Sequence, residues 1–123
     1  MSLNEQAEKL VKEAYRLGQA GELFKANALC EQILNMTLEF FNQLQNGKVN
    51  LNEKICADTV IGCYLIQGDV LFRLGFYEQA IIAVNAAEAL AHNLERTLDK
   101  EFRSEILKST TELKEKYKKC WLN

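Results

Sequence analysis

Two stretches of this chain, Leu10–Ile33 and Tyr64–Ala87, carry one residue pattern in the same order, and that internal repetition limits the possible folds more than any other feature. Gly21 matches Gly75, Ala26 matches Ala80, Cys30 matches Val84 and Ile33 matches Ala87. Upstream, Leu10 matches Tyr64, Ala14 matches Gly68 and Leu17 matches Leu71. Each stretch reads as a helix, a tight glycine turn and a second helix. Ala14 and Gly68, two-thirds through the first helix, leave room for the second to pack closely, and the turn glycine tolerates a positive φ. The chain has no proline and only 6 glycines, which argues against a turn-rich β-sandwich or barrel. An all-α fold follows.

The apolar spacing divides the chain into about five helices in one domain over residues 4–123. Met1-Ser2-Leu3 reads as a leader outside the fold. Ala7, Leu10, Val11, Ala14, Tyr15 and Leu17 then share one helical face, with Gly18 and Gly21 marking a stop and a turn. A second helix, with Ala26, Cys30, Ile33, Thr37, Phe40 and Leu44 in a stripe, runs to about Gln45 and closes a first unit of about 4–46. Residues 46–52, rich in Asn, read as a loop. The second unit, about 53–96, opens with a helix from Glu53 capped by Asn52 and apolar nearly all round. A fourth helix begins near Glu78. A last helix, about 99–121, has Asp99 as its N-cap and Phe102, Ile106, Leu113, Tyr117 and Cys120 on one stripe, opposite a charged face suited to capping an array.

The segment Tyr64–Ala80, with its mid-helix Gly68, the Leu74-Gly75 turn, Tyr77 and Ala80, and with Ala87 beyond it, resembles a tetratricopeptide repeat. Val84 stands where that family has an aromatic residue and His92 where it has a helix-ending proline. The first unit is a weaker match, with Leu10, Leu23 and Cys30 in place of aromatic residues. The turn glycines lie 54 residues apart rather than about 34, the surplus being absorbed by the long second helix and the loop. The microtubule-interacting-and-trafficking domain is similar over the first three helices but leaves the last two without a counterpart; a plain helical bundle is the other alternative.

The resemblance implies a right-handed α-α superhelix of two helix pairs plus a C-terminal capping helix. It also implies a groove, lined by the first helix of each pair, that holds a partner peptide or helix. The matching positions are Glu8, Val11, Tyr15 and Gln19 on the first helix, and Leu65, Asp69, Phe72 and Arg73 on the third. Family members that clamp the C-terminal tails of Hsp70 and Hsp90 use Lys and Asn where this chain has Val11 and Tyr15, and Asn where it has Ile66. Such a tail is therefore not the expected ligand. Asp69 and Arg73, four apart on a helix, are expected to pair, a contact worth about 0.3–0.5 kcal/mol when exposed.

No sequence pattern supports catalysis, a cofactor or a metal. There is no phosphate-binding glycine loop, no nucleophile elbow and no H-E-x-x-H, and His92 is the single histidine. Cys56 and Cys63, seven residues apart, would sit about 10.5 Å from each other on a helix, too far for a disulfide. The four cysteines read as reduced, small hydrophobes of a cytoplasmic protein. A formal net charge of −2 argues against nucleic-acid binding, and no apolar run is long enough to span a membrane. The expected function is a non-enzymatic protein-interaction module. The alternatives are a structural subunit that docks or homodimerises through the last helix, where Trp121 and Leu122 have little core to enter, and a small secretion-type chaperone.

Overall fold

A computed structural model describes residues 2–47, 55–93 and 99–122. It contains five helices: α1 (Leu3–Gln19), α2 (Leu23–Gln45), α3 (Ala57–Arg73), α4 (Tyr77–Asn93) and α5 (Lys100–Leu122). The fold is all-α, and the described residues include no strand.

The sequence repeat is a repeat in backbone geometry. Gly21 has φ of 82° and Gly75 of 89°, the left-handed conformation in which a side chain would be strained. At the first turn Gly21 N–H donates to Gly18 C=O at 3.2 Å, and Glu22 N–H donates to Leu17 C=O at 2.9 Å. At the second, Gly75 N–H donates to Phe72 C=O at 3.0 Å and Phe76 N–H to Leu71 C=O at 2.9 Å. These are equivalent bonds at the 54-residue offset, and together they close each first helix with a Schellman motif. The following helix then starts alike in both units, Ala26 N–H donating to Glu22 C=O and Ala80 N–H to Phe76 C=O, both at 3.0 Å.

Matched positions also meet across the helix pairs. Ala14, Ala26, Cys30, Ile33, Ala80, Val84 and Ala87 are all fully buried. At Gly68 a Cβ would lie 3.0 Å from Val84 Cγ2 and 3.5 Å from the Ala80 carbonyl, so any larger residue requires Val84 to shift. Successive helices pack in chain order, and α1 also packs on α3, stacking the first hairpin against the second. One cluster joins Ala14, Cys30, Ile33 and Cys63, and another joins Leu17, Ala26 and Val70. Ile61, Ala87 and Ala91 meet Phe102 and Ile106 of α5, while Leu71, Ala80, Ile81, Val84 and Tyr117 complete the core. Burying a side chain such as Ile33 or Ile61 contributes about 1.5–3 kcal/mol each.

Three polar links fix the order of the helices. Gln67, buried on α3, donates to Glu31 Oε1 at 2.9 Å and Asn27 Oδ1 at 3.3 Å on α2. Arg73 Nη1 donates to the Gly18 carbonyl at 2.8 Å, and Arg103 Nε to the Ala91 carbonyl at 2.9 Å. In both, a cation from a neighbouring helix satisfies a carbonyl in the last turn of a helix, where the backbone dipole favours it.

Several sequence expectations need correction. Ser2 is the N-cap of α1, accepting from Glu5 N–H, and Leu3 packs with Ala7, Ile55 and Val60, so these residues belong to the fold. Gly18 is not a helix stop: it lies buried inside α1, where a Cβ would be 3.5 Å from Val70 Cγ2. α3 begins at Ala57 rather than Glu53, with Cys56 in the cap position. The Cys56 side chain makes no capping bond there; instead Asn4 Oδ1 of α1 accepts from Cys56 N–H at 2.9 Å and from Thr59 Oγ1 at 3.3 Å. The proposed Asn52 cap and Glu53 lie outside the described residues. Cys120 is exposed rather than part of the α5 core stripe. The α5 N-cap is Asp99 as expected, its Oδ2 accepting from Phe102 N–H at 3.1 Å.

Two substitutions test this packing. Ala80→Leu overfills the α3–α4 crossing and should cost about 1–3 kcal/mol, read as a Tm lowered by several degrees. Asn4→Ala removes a cap supplied from another helix and should cost about 1–2 kcal/mol in urea denaturation, with the slope of the transition unchanged.

Candidate functional site

The stacking of α1 on α3 leaves a groove of about 360 Å³ between them, lined by Tyr15, Gly18 and Gln19 from α1 and Leu65, Ile66, Asp69 and Val70 from α3. Both sets follow helical spacing, so each helix presents one face to the groove. Gly18 and Val70 are buried and set its depth, while Tyr15 stands 58% exposed at its side. Arg73 lies beside it, bonded to Gly18 and 3.5 Å from Asp69 Oδ2. Asp69 is the one charged residue of the lining.

The structure therefore brings together Tyr15, Gln19, Leu65 and Asp69 of the eight candidate residues. The other four are placed differently. Val11 is half-buried against the Ala14–Cys30–Ile33–Cys63 cluster. Glu8 is exposed on α1, accepting from Asn4 Nδ2 at 3.1 Å, and does not line the groove. Arg73 is tied to the end of α1, a fixture of the α1–α3 contact rather than an open recognition group. Phe72 turns to α5, where it stacks on Tyr117 with ring centroids 4.5 Å apart and planes at 21°. It also meets Tyr77 at 5.4 Å, and Lys116 Nζ lies 5.1 Å from its centroid. Tyr117 packs beside Gly68, its ring 3.8 Å from where a Cβ would stand, and Phe72, one turn on, stacks against it. Sequence reasoning missed Gly18, Ile66 and Val70 as lining residues. Their spacing from Tyr15 and Asp69 was the available signal.

Tyr117 is 1% exposed, and its hydroxyl has no hydrogen-bond partner among the described residues. Burial, with the Asp69 carboxylate adding to it, pushes its ionisation up to about 12. The four cysteines are free. Cys30 and Cys63 are buried together, the Cys63 thiol donating to the Cys30 carbonyl at 3.5 Å. The neighbouring Cys30 sulfur and burial both push the Cys63 thiol up, away from a reactive thiolate. Among the described residues no group of His, Cys, Asp and Glu is arranged to hold a metal ion, and His92 is exposed. No described helix is long and apolar enough to cross a membrane. A second, shallower cleft of about 250 Å³ lies at the α3–α4 turn, lined by Gly75, Phe76, Tyr77, Glu78, Gln79 and Trp121.

Comparison with protein-family models, curated proteins and solved structures found no match to this chain.

Removing the orphaned hydroxyl gives a test with an uncommon sign. Tyr117→Phe should stabilise the protein by about 1 kcal/mol, because an unpartnered buried hydroxyl is lost while the ring stack remains. A group whose folded pKa is raised contributes stability that is lost as pH rises through that value. The native protein should therefore lose stability from about pH 10 towards pH 12, and Tyr117→Phe should lose less over that window, as measured by urea midpoints across the alkaline range.

Proposed function

We propose that this chain is a non-enzymatic interaction module of tetratricopeptide-like type, which binds a peptide or helix of a partner protein in the α1–α3 groove. The observation that carries this reading is the groove itself, an open cleft with an apolar base, one aromatic residue and one carboxylate. A partner helix laid in such a cleft gains buried apolar area from Leu65 and Ile66 and orientation from the polar rim. The duplicated Schellman-closed hairpins support the repeat-like part of the reading, with a right-handed stacking of the two pairs and α5 as cap. Free thiols fit a reducing compartment such as the cytoplasm.

A second reading is docking or self-association through the end of α5. It is favoured by Trp121 and Leu122, 50% and 81% exposed, beside the cleft that Phe76 and Tyr77 line. A small secretion-type chaperone shares the size and charge but is usually built of three helix pairs, and this chain has two with a single helix after them.

Affinity capture with the wild type beside the double variant Leu65→Glu, Asp69→Lys separates the readings, once circular dichroism shows both folded. A partner bound by the wild type and lost by the variant is the expected outcome. A partner retained by both would contradict groove binding and favour the α5 surface.

A further inference from the structure

We infer that the segment held in the α1–α3 groove is basic, with an Arg or Lys side chain bound at Asp69 against the face of Tyr15; this rests on the groove reading above and specifies its partner. The groove lining carries one charge, and it is negative. Arg73 reaches it from one side only: Nη1 donates to the Gly18 carbonyl at 2.8 Å and pairs with Asp69 Oδ2 at 3.5 Å. Asp69 Oδ1 accepts from no group among the described residues, and the Asp69 side chain is 51% exposed. A carboxylate in this condition binds an incoming guanidinium or ammonium with charge-assisted hydrogen bonds.

The neighbouring groups suit the same ligand. Tyr15, 58% exposed in the same lining, offers an aromatic face to a cation. The chain already makes such a contact once, with Lys116 over Phe72 at 5.1 Å. Leu65 and Ile66 can cover the aliphatic stem or an apolar neighbour in the bound segment. Residues 1–93 carry 7 basic and 11 acidic side chains, so the field around the two hairpins attracts a basic segment and repels an acidic one.

Three fluorescein-labelled peptides of about 15 residues, a length at which isolated helices begin to persist, provide the test. They share one leucine stripe and carry Arg, Gln or Glu at the other positions. Binding is followed by fluorescence anisotropy and by amide shifts in the ¹⁵N-labelled protein. The Arg peptide should bind about tenfold tighter than the Gln peptide, the scale of one charge-assisted bond, with shifts centred on Tyr15, Leu65 and Asp69. Asp69→Asn should abolish that preference, the Arg peptide then binding no tighter than the Gln peptide. Groove shifts with equal affinity for all three peptides would overturn the basic specificity while the groove reading survives. An Arg preference that persists in Asp69→Asn would overturn the assignment to Asp69. Absence of groove shifts with every peptide would contradict both. A dimer seen by sedimentation without peptide, and lost in Asp69→Asn, would give the groove to a second copy and overturn a foreign partner.

Discussion

Everything in this structure depends on how closely the two helices of each hairpin can approach. Gly68 packs so near Val84 that a Cβ would stand 3.0 Å from its Cγ2, and its counterpart Ala14 sits fully buried in the first hairpin. Close approach brings backbones into dispersion contact but leaves no room for a loose turn. The connection must reverse the chain within three residues, and at both sites a left-handed glycine with two Schellman bonds does so. Two hairpins of one shape then stack through Gly18, Val70 and the Arg73 tie to the end of α1. The groove lies along that stacking, with Gly18 and Val70 buried and Tyr15 and Leu65 in its lining.

The repeat was the most legible part of the sequence, because small residues and glycines at fixed offsets reflect a backbone constraint that few other residues satisfy. Helix faces were legible for the same reason: burial along Ala14, Leu17, Ala26, Cys30 and Ile33 follows the apolar spacing. What escaped was tertiary in origin. Asn4 caps α3 from across the hairpin stack, a bond over 52 residues with no local signature. Local rules pointed to an Asn-Glu pair as the start of that helix, whereas the described backbone enters it at Ala57. Ser2 and Leu3 look dispensable in a sequence and are tied down in the structure by a cap and an apolar contact.

The candidate site was half legible. Tyr15, Gln19, Leu65 and Asp69 lie where the repeat pattern put them, since helical spacing fixes which residues share a face. Phe72 lies on the same helix, but it stacks on Tyr117 of α5, which packs beside Gly68. That contact joins residues 45 apart in sequence and depends on the placing of a fifth helix that the repeat does not specify. Arg73 illustrates a related limit. Its spacing from Asp69 announces an ion pair, and the pair exists at 3.5 Å, yet its shorter bond is to a carbonyl on another helix. The division fixes the guanidinium to the end of α1 while its charge stays beside Asp69.

The stacking of α1 on α3 is most directly tested by nuclear Overhauser contacts in the ¹³C-labelled protein. Gly18 Hα should show a contact to a Val70 methyl group, and the Tyr117 ring should show contacts to Gly68 Hα and to the Phe72 ring. Observation of all three would establish both the groove and the reason Phe72 is excluded from it. If the Gly18–Val70 contact were missing while those within each hairpin were strong, the hairpins would not be stacked, and the groove would not exist.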